Sequence, residues 1–331
     1  MKIGLFAVAD HYPGELPRTT ARFYDELLEQ VEAADAWGFD SFWVAEHHFH
    51  PYGAIPRPPV WMAAAAQRTR RIRLGAGVVV LPFDNPLRTA EDYAMVDVLS
   101  QGRLNLGVGS GYLSHEYAGF GVDPATKRER FDEALEILFR AWTGERFSYH
   151  GTYHRVDDVQ LNVVPVQRPR PPVWVAVLRN EAAPLVGARG LPVMTIPYAA
   201  TERIDELGDV VRAFRAAFVG AGGRVDDATV PFGLHVHCAP ETGQARAEAD
   251  DAMARYVRTR LYARQRPVDL LVDKDLVAFG SPGEIVRIAR RYEALGLTHL
   301  LAIVNFGGLA HERVLASMEL LAKHVLPAVA G

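Results

Sequence analysis

The sequence is poor in cysteine, in long apolar runs and in excess charge of either sign. Its one cysteine, Cys238, excludes an intrachain disulfide framework and is typical of a reducing compartment. The apolar run Ile3–Ala9 ends at Asp10, which makes it too short to span a bilayer and unlike a cleaved signal peptide. The formal net charge of −4 offers no electrostatic attraction to nucleic acid. We therefore expect a cytoplasmic protein that binds neither membranes nor nucleic acids.

Apolar material, in contrast, is abundant and regularly arranged. The 331 residues are 49% hydrophobic and 23% charged, enough for a large core and unlike a disordered chain. Short apolar runs alternate eight times with longer amphipathic stretches, and no linker interrupts the series. The predicted strands are Ile3–Ala9, Ser41–Ala45, Leu74–Val80, Leu104–Val108, Val173–Val177, Pro192–Ile196, Pro231–Cys238 and His299–Val304. This pattern favours an α/β fold, a (β/α)8 TIM barrel, over an open doubly wound sheet.

The predicted helices follow the same series. They are Thr20–Trp37, Pro59–Thr69, Thr89–Leu99, Arg128–Trp142, Glu181–Ala188, Glu202–Val219, Gln244–Tyr262, Glu284–Leu295 and Glu312–Val325. Before Glu284–Leu295, Ser281 is the predicted N-cap and Pro282 the first helical residue. Two stretches depart from the repeat: residues 147–161 suggest an inserted hairpin, and residues 264–280 an insertion in the last unit. We predict one domain over residues 1–331.

Polar and glycine-rich segments stand where the predicted strands end, which is where such barrels carry their active sites. Glu46-His47-His48 follows strand 2 and contains metal-ligand types, but no second cluster with ligand spacing supports a metal site. Gly107–Tyr112 follows strand 4 and lacks the third glycine of a dinucleotide fingerprint. Its glycines indicate either a flat or bulky ligand close to the backbone or tight barrel packing.

The segment after strand 5 combines an arginine with a predicted helix start. Leu178-Arg179-Asn180-Glu181 would place backbone N–H groups, the positive end of a helix dipole and a guanidinium together. That combination suits a phosphate group, although a solvated charged cap explains the same residues equally well. A P-loop motif is absent from the sequence, so nucleotide hydrolysis of that type is not indicated.

Several longer motifs resemble those of one family. They are Ala45–Phe49, Val79–Arg88, Leu99–Gly109, Pro169–Ala176 and the stretch from Gly280–Glu284 to Phe306–Gly308. In this order, and over nearly the whole chain, they resemble the bacterial-luciferase-like flavin monooxygenases. The resemblance implies a (β/α)8 barrel that uses reduced FMN and O2 to oxygenate a small organic substrate through a flavin 4a-peroxide. It also implies a flavin reductase as partner and a homodimer, for which Pro59–Ala66 and Thr89–Leu99 offer apolar helix faces.

The resemblance also assigns site residues. It implies catalytic roles for His47 and Glu46, with His47 holding a proton or acting as general base and Glu46 either orienting it or closing the strand end with a salt bridge. It implies a cofactor site formed by Phe6, Gly77, Val78, Gly109, Ser110, Tyr112, Leu178 and Arg179, and no metal. A non-proline cis peptide is expected between Gly77 and Val78. The aromatic residues Phe6, Phe49, Trp61, Tyr112 and Phe279 are candidates for the pocket wall or for ordinary packing.

Two departures from the luciferase pattern are visible. Gly109 stands where luciferase has a reactive cysteine, and Ser110 stands where it has a phosphate-binding arginine, a charge that we expect Arg179 to supply. Light emission is therefore not implied, but oxygenation is. Two alternatives remain open: a deazaflavin-dependent oxidoreductase that transfers hydride on the same fold, and a flavin-binding protein without catalytic activity.

Overall fold

The computed structural model describes residues 1–260 and 265–329. Its strands are β1 (Lys2–Ala7), β2 (Ser41–Val44), β3 (Arg73–Val80), β4 (Leu104–Gly109), β5 (Phe147–His150), β6 (Arg155–Val159), β7 (Val173–Ala176), β8 (Val193–Met194), β9 (Pro231–Cys238), β10 (Ala278–Gly280) and β11 (His299–Asn305). Its helices are α1 (Thr20–Trp37), α2 (Pro58–Arg68), α3 (Pro86–Leu99), α4 (Ser114–Phe120), α5 (Lys127–Trp142), α6 (Ala182–Gly187), α7 (Pro197–Ala200), α8 (Glu206–Gly220), α9 (Thr242–Thr259), α10 (Val268–Asp273), α11 (Pro282–Ala294), α12 (His311–Leu320) and α13 (Leu326–Val329).

Nine of these strands form one parallel sheet in the order β10-β9-β11-β1-β2-β3-β4-β7-β8. The sheet curls until the residue after β8 reaches β9: the Thr195 N–H donates to the Pro231 carbonyl (3.0 Å), and the Thr195 carbonyl accepts from the Gly233 N–H (2.9 Å). Each parallel connection contains at least one helix, as such crossovers require. The predicted α/β class is confirmed. The sheet is parallel and curled, and Thr195, after β8, forms an isolated bridge with Phe232 of β9.

All eight predicted strands are present, with different lengths at several ends. β8 contains two residues, because only Val193 and Met194 pair regularly with β7. Residues 147–161 contain β5 and β6, which pair antiparallel. Within the predicted insertion, which begins at Arg264 outside the described residues, β10 pairs in parallel with Val236–Cys238. Three residues are too few to show a strand periodicity, so the sequence did not predict β10.

Most predicted helices differ from the observed ones by a few residues at one or both ends. Pro282 is the first residue of α11 as predicted, but the Ser281 side chain makes no capping hydrogen bond and instead contacts the Thr242 hydroxyl. α9 ends at Thr259, whereas its predicted end, Tyr262, lies outside the described residues. α1 ends as predicted, because Gly38 adopts a left-handed conformation with φ 86° and its N–H donates to the Ala34 carbonyl.

Large side chains from neighbouring strands fill the inside of the curled sheet. A Cβ atom at Gly75 would overlap the indole of buried Trp43, so the first glycine of β3 is required by packing. Gly77 is two residues nearer to the carboxyl end, where an added Cβ would lie 3.3 Å from the Phe6 ring. The packed core therefore ends near Phe6, and the space above it belongs to the site.

The carboxyl ends of β1 and β11 are tied together by a buried carboxylate. Asp10 Oδ2 accepts a hydrogen bond of 2.6 Å from the Gly307 N–H, and the side chain is fully buried. Burial raises the pKa of Asp10 to about 6, although hydrogen bonds from Tyr12 and Gly307 oppose the shift. The folded protein therefore favours the neutral carboxylic acid more than the unfolded chain does.

We predict that Asp10 makes the protein less stable as the pH rises from about 4 to about 6. In this window the folded state holds a proton that the unfolded state releases, which corresponds to about 3 kcal/mol for a shift from 3.8 to about 6. Asp10→Asn removes this proton linkage, so its stability relative to wild type should improve with rising pH. Urea unfolding at pH 4.5, 5.5 and 7 measures the effect, with exposed Asp250→Asn as control. A pH-independent difference between Asp10→Asn and wild type would contradict the prediction.

Candidate active site

A cavity of about 450 Å³ opens at the carboxyl ends of the parallel strands. All ten site residues named from the sequence line it: Phe6, Glu46, His47, Gly77, Val78, Gly109, Ser110, Tyr112, Leu178 and Arg179. They come from β1, β3 and β4 and from the segments that follow β2, β4 and β7, so the sheet brings distant parts of the chain to one place.

Two glycines of neighbouring strands line the cavity together with the side chain of Val78. A Cβ atom at Gly109 would lie 2.8 Å from Val78 Cγ2, which is closer than real Cβ atoms approach. The peptide bond between Gly77 and Val78 is cis, at the position that the resemblance implies. Neither Gly77 nor Gly109 adds a side chain of its own to the lining.

A buried carboxylate, Glu116, holds His47 in the lining of the cavity. Glu116 Oε1 lies 3.1 Å from His47 Nδ1 and also accepts a hydrogen bond of 2.9 Å from the His48 N–H. Because an ionised carboxylate can only accept, Nδ1 carries the hydrogen and Nε2 is the ring nitrogen left for a ligand. Burial alone would raise the pKa of Glu116, but the hydrogen bonds and positive charge of the neighbouring histidines lower it below its usual value. Glu116 is therefore a carboxylate at neutral pH.

Glu46 has a different partner from the one that an orienting role would need. Its Oε1 lies 3.2 Å from His48 Nε2, so it closes the end of β2 through His48 and does not orient His47. Burial raises the pKa of Glu46 although the His48 contact lowers it. The residue that orients His47 is Glu116, which the sequence analysis missed because 69 positions separate the two. The available signal was an acidic residue in the first turn after the glycine-rich end of β4.

Three cations also line the cavity. Arg179 is joined by Lys127 and Arg128, the first two residues of α5, which the sequence analysis also missed. Within the described ranges none of these three side chains pairs with a carboxylate. Basic residues in the first turn of a helix oppose its dipole, so this pair was a readable sign of an anion nearby.

The helix start expected beside Arg179 lies further along the chain than predicted. α6 begins at Ala182 rather than near Asn180, and the Ala182 N–H already donates to the Arg179 carbonyl (3.0 Å). The Ala183 N–H likewise donates to the Asn180 carbonyl (3.2 Å). Two of the amide groups expected to bind a phosphate are therefore used within the turn, and the cationic side chains become its main candidates.

The candidate wall aromatics divide into two groups. Phe6 and Tyr112 line the cavity. Trp61, on α2, packs on Phe42 of β2 with 5.5 Å between the ring centroids. Phe279 stacks on Phe306 with 5.6 Å between the ring centroids. Phe49 leaves 66% of its surface exposed outside the cavity. Aliphatic residues complete the wall instead, among them Val8, Met194 and Ile196.

Two further properties concern the described residues as a whole. In residues 1–260 and 265–329, no three His, Cys, Asp or Glu side chains are grouped so as to hold a metal ion. Among the helices of these same ranges, none combines the length and the apolar character needed to span a bilayer.

A curled parallel sheet with a cavity at the carboxyl ends of its strands is typical of α/β enzymes. Residues 1–276 match the family model described as luciferase-like monooxygenase. The chain belongs to this family, which confirms the resemblance found in the sequence.

Individual relatives agree with this assignment. The oxygenase component of the flavin-dependent trigonelline monooxygenase from Acinetobacter baylyi is 26% identical, and the match covers 99% of this chain and 95% of that protein. An uncharacterised protein, y4wF of Sinorhizobium fredii, is 40% identical over 61% of this chain, and the match covers 59% of its own length. The crystal structure of the monooxygenase RslO1 from Streptomyces bottropensis superposes with a TM-score of 0.92 at 30% identity, covering 99% of both chains.

Two other similarities concern the cofactor. The oxygenating constituent of 3,6-diketocamphane monooxygenase from Pseudomonas putida, solved in complex with FMN, has a TM-score of 0.85 at 22% identity and shares the fold over 99% of this chain and 98% of its own. The F420-dependent glucose-6-phosphate dehydrogenase of Tsukamurella paurometabola is 29% identical over 83% of this chain and 87% of that protein. These similarities support a flavin-type cofactor.

We predict that Glu116→Gln destabilises the protein most at neutral pH. Its lowered pKa gives the folded state a stabilising carboxylate that is lost as the pH falls through that pKa. Replacing a buried, charge-assisted acceptor costs roughly 1.5–3 kcal/mol. Urea unfolding at pH 7 should show this loss and at pH 4 a smaller one, with exposed Glu312→Gln unchanged at both. A loss that grows as the pH falls would show that Glu116 is not held as a carboxylate.

Proposed function

We propose that this protein is an FMN-dependent monooxygenase that oxygenates a small organic substrate, built on a (β/α)8 barrel. The observation that carries the proposal is the set of groups that line one cavity. It is lined by the glycines at positions 77 and 109, by the His47–Glu116 pair and by the cations Lys127, Arg128 and Arg179. This set suits a flat ring system that carries a phosphate.

The residues present fit FMN in shape and in charge. The glycines at positions 77 and 109 add no side chain to the cavity lining, which leaves room for a ring plane. At Gly109 any other residue would meet Val78. The three cations offer a phosphate dianion several charge-assisted hydrogen bonds, and Arg179 can give two in parallel. They replace the arginine that is absent at Ser110. Reduced FMN, when bound, supplies the activation of O2 for transfer of one oxygen atom to the substrate.

The chain's own side chains would bind, orient and exclude water. His47 Nε2 is the ring nitrogen available to a ligand, because Nδ1 is held by Glu116. Val8, Met194 and Ile196 line the cavity on the β1 and β8 side with aliphatic carbon, which keeps water from the reacting groups. Glu46 acts on this arrangement through His48 rather than by touching His47.

The reduced cofactor would come from a separate flavin reductase. The glycine motifs of β3 and β4 lack a complete dinucleotide fingerprint. The trigonelline relative is named as an oxygenase component, which fits a system divided between two proteins. NADPH added to the pure protein should therefore give no sustained oxygenation.

The proposal is tested by anaerobic spectral titration with FMN, reduced FMN and a deazaflavin in parallel. We expect reduced FMN to bind more tightly than the deazaflavin or any nicotinamide. Incubation of the loaded protein with 18O2 and a panel of small ketones and alkenes should then yield one labelled product oxygen per turnover. Tighter deazaflavin binding with hydride transfer would establish the oxidoreductase alternative, and flavin binding without any turnover would establish a non-catalytic protein.

We predict that Arg179→Ala weakens FMN binding but spares riboflavin, which lacks the phosphate. One charge-assisted contact is worth roughly 1.5–3 kcal/mol, or about tenfold to a hundredfold in affinity. The double variant Lys127→Ala/Arg128→Ala should act in the same direction. Fluorescence titration of each variant with both ligands measures the effect, and an equal loss for FMN and riboflavin would show that the residue supports the shape of the cavity instead.

We also propose a homodimer formed through α2 and α3. Val60 on α2 is 70% exposed, and Met95, Val98 and Leu99 on α3 are 42–53% exposed. Exposed apolar residues grouped on neighbouring helices are typical of an interface. Light scattering should give twice the chain mass, and Val60→Glu/Met95→Glu should shift it towards one. A wild-type monomer at working concentration would contradict the proposal.

A further inference from the structure

Three buried tyrosine hydroxyls form a chain directly behind the cavity wall. The Tyr52 hydroxyl lies 3.0 Å from that of Tyr256, which lies 3.1 Å from that of Tyr198. The three residues come from the segment after β2, from α9 and from α7. The hydrogen-bonded hydroxyls therefore connect three segments that are distant in sequence. All three side chains are buried, and Tyr256 is completely inaccessible.

Tyr256 has a central place in this chain, because its hydroxyl contacts both of the others. The ring of His235 lies 4.5 Å from that of Tyr256 and 5.2 Å from that of Tyr198. Burial lowers the pKa of His235 to about 3, so this neighbour is neutral. The Arg260 guanidinium lies 4.3 Å from the centre of the Tyr198 ring. Tyr256 is thus held by packing and by two hydrogen bonds.

Tyr52 connects this chain to the reactive end of the cavity. Its ring lines the cavity and packs against the His47 imidazole, with 4.6 Å between the centroids. The next residue, Gly53, lies so close that an added Cβ would be 2.6 Å from His47 Cβ. His47 is therefore held by Glu116 through Nδ1 and by Tyr52 and Gly53 through packing.

We propose that Tyr256 is a positioning residue for His47. By bonding the Tyr52 hydroxyl, it holds the Tyr52 ring in place against the imidazole, and that ring limits rotation of the imidazole about the Glu116 contact. The orientation of a ring nitrogen matters because small displacements of a group in contact with the reacting atoms reduce rates strongly. The catalytic consequence rests on the proposed function, whereas the effect on the His47 ring does not.

The test compares two buried tyrosines that each lose only a hydroxyl. Tyr256→Phe breaks the chain and keeps the ring. Tyr292→Phe is the matched control: Tyr292 on α11 is equally buried, its hydroxyl donates to the Asp275 carbonyl (2.8 Å), and its ring stacks on Phe232 away from the cavity. Thermal unfolding of both variants measures the general cost of losing a buried hydroxyl.

The decisive readout needs neither cofactor nor turnover. In 1H–13C spectra of protein labelled at histidine, the His47 signal is assigned by its absence in His47→Gln. We expect this signal to shift or split in Tyr256→Phe and to stay unchanged in Tyr292→Phe. With reduced FMN and substrate, kcat should fall by about tenfold in Tyr256→Phe while KM changes little.

The possible outcomes separate the two proposals. An unchanged His47 signal in Tyr256→Phe, or the same change in Tyr292→Phe, would overturn the positioning role. A changed signal without any binding of reduced FMN would support the positioning role and contradict the proposed function. If Tyr256→Phe does not fold, Tyr52→Phe breaks the same hydrogen bond from its other end and is judged by the same spectra.

Discussion

The site depends on the absence of side chains from the inner face of two neighbouring strands. At Gly75 a Cβ would overlap Trp43, and at Gly107 it would lie 2.7 Å from both the Ala76 carbonyl and Met194 Sδ. These glycines allow β3 and β4 to lie against large side chains from other strands, so the sheet is filled below and open above. Two residues further along, Gly77 and Gly109 line the cavity beside Val78 and add no side chain of their own. The glycines of β3 and β4 thus serve close packing inside the sheet and, nearer to the carboxyl ends of the strands, access for a ligand.

Two buried carboxyl groups of the protein have pKa values that are shifted in opposite directions by their surroundings. Asp10 and Glu116 are both buried carboxyl groups, yet the pKa of Asp10 is raised and that of Glu116 is lowered. The difference lies in their partners, since two histidine residues approach Glu116 closely whereas burial dominates at Asp10. Asp10 thus ties two loops together and favours its protonated form more than a free carboxyl group does, whereas Glu116 serves as a fixed acceptor for an imidazole.

The sequence predicted the strands and the ten site residues because both are local or family-wide signals. Apolar runs such as His299–Val304 identify strands directly, and parallel strands bring their carboxyl ends to one side of a sheet. The missing residues depend on contacts between distant segments: Glu116 meets His47, and Tyr256 meets Tyr52 across 204 positions. No periodicity reports such a meeting. For Glu46 the sequence left two roles open, orienting His47 or closing the strand end with a salt bridge, and its contact with His48 corresponds to the second.

The two sides of the cavity are supplied by different segments of the chain. The cations follow β4 and β7, and the His47–Glu116 pair follows β2 and β4, whereas the apolar wall comes from β1 and β8 through Val8, Met194 and Ile196. A change in the size of these three side chains reshapes the wall without removing a charge or a hydrogen bond from either end. Selectivity can consequently drift, in evolution or in a designed library, at positions that are structurally independent of the cofactor end.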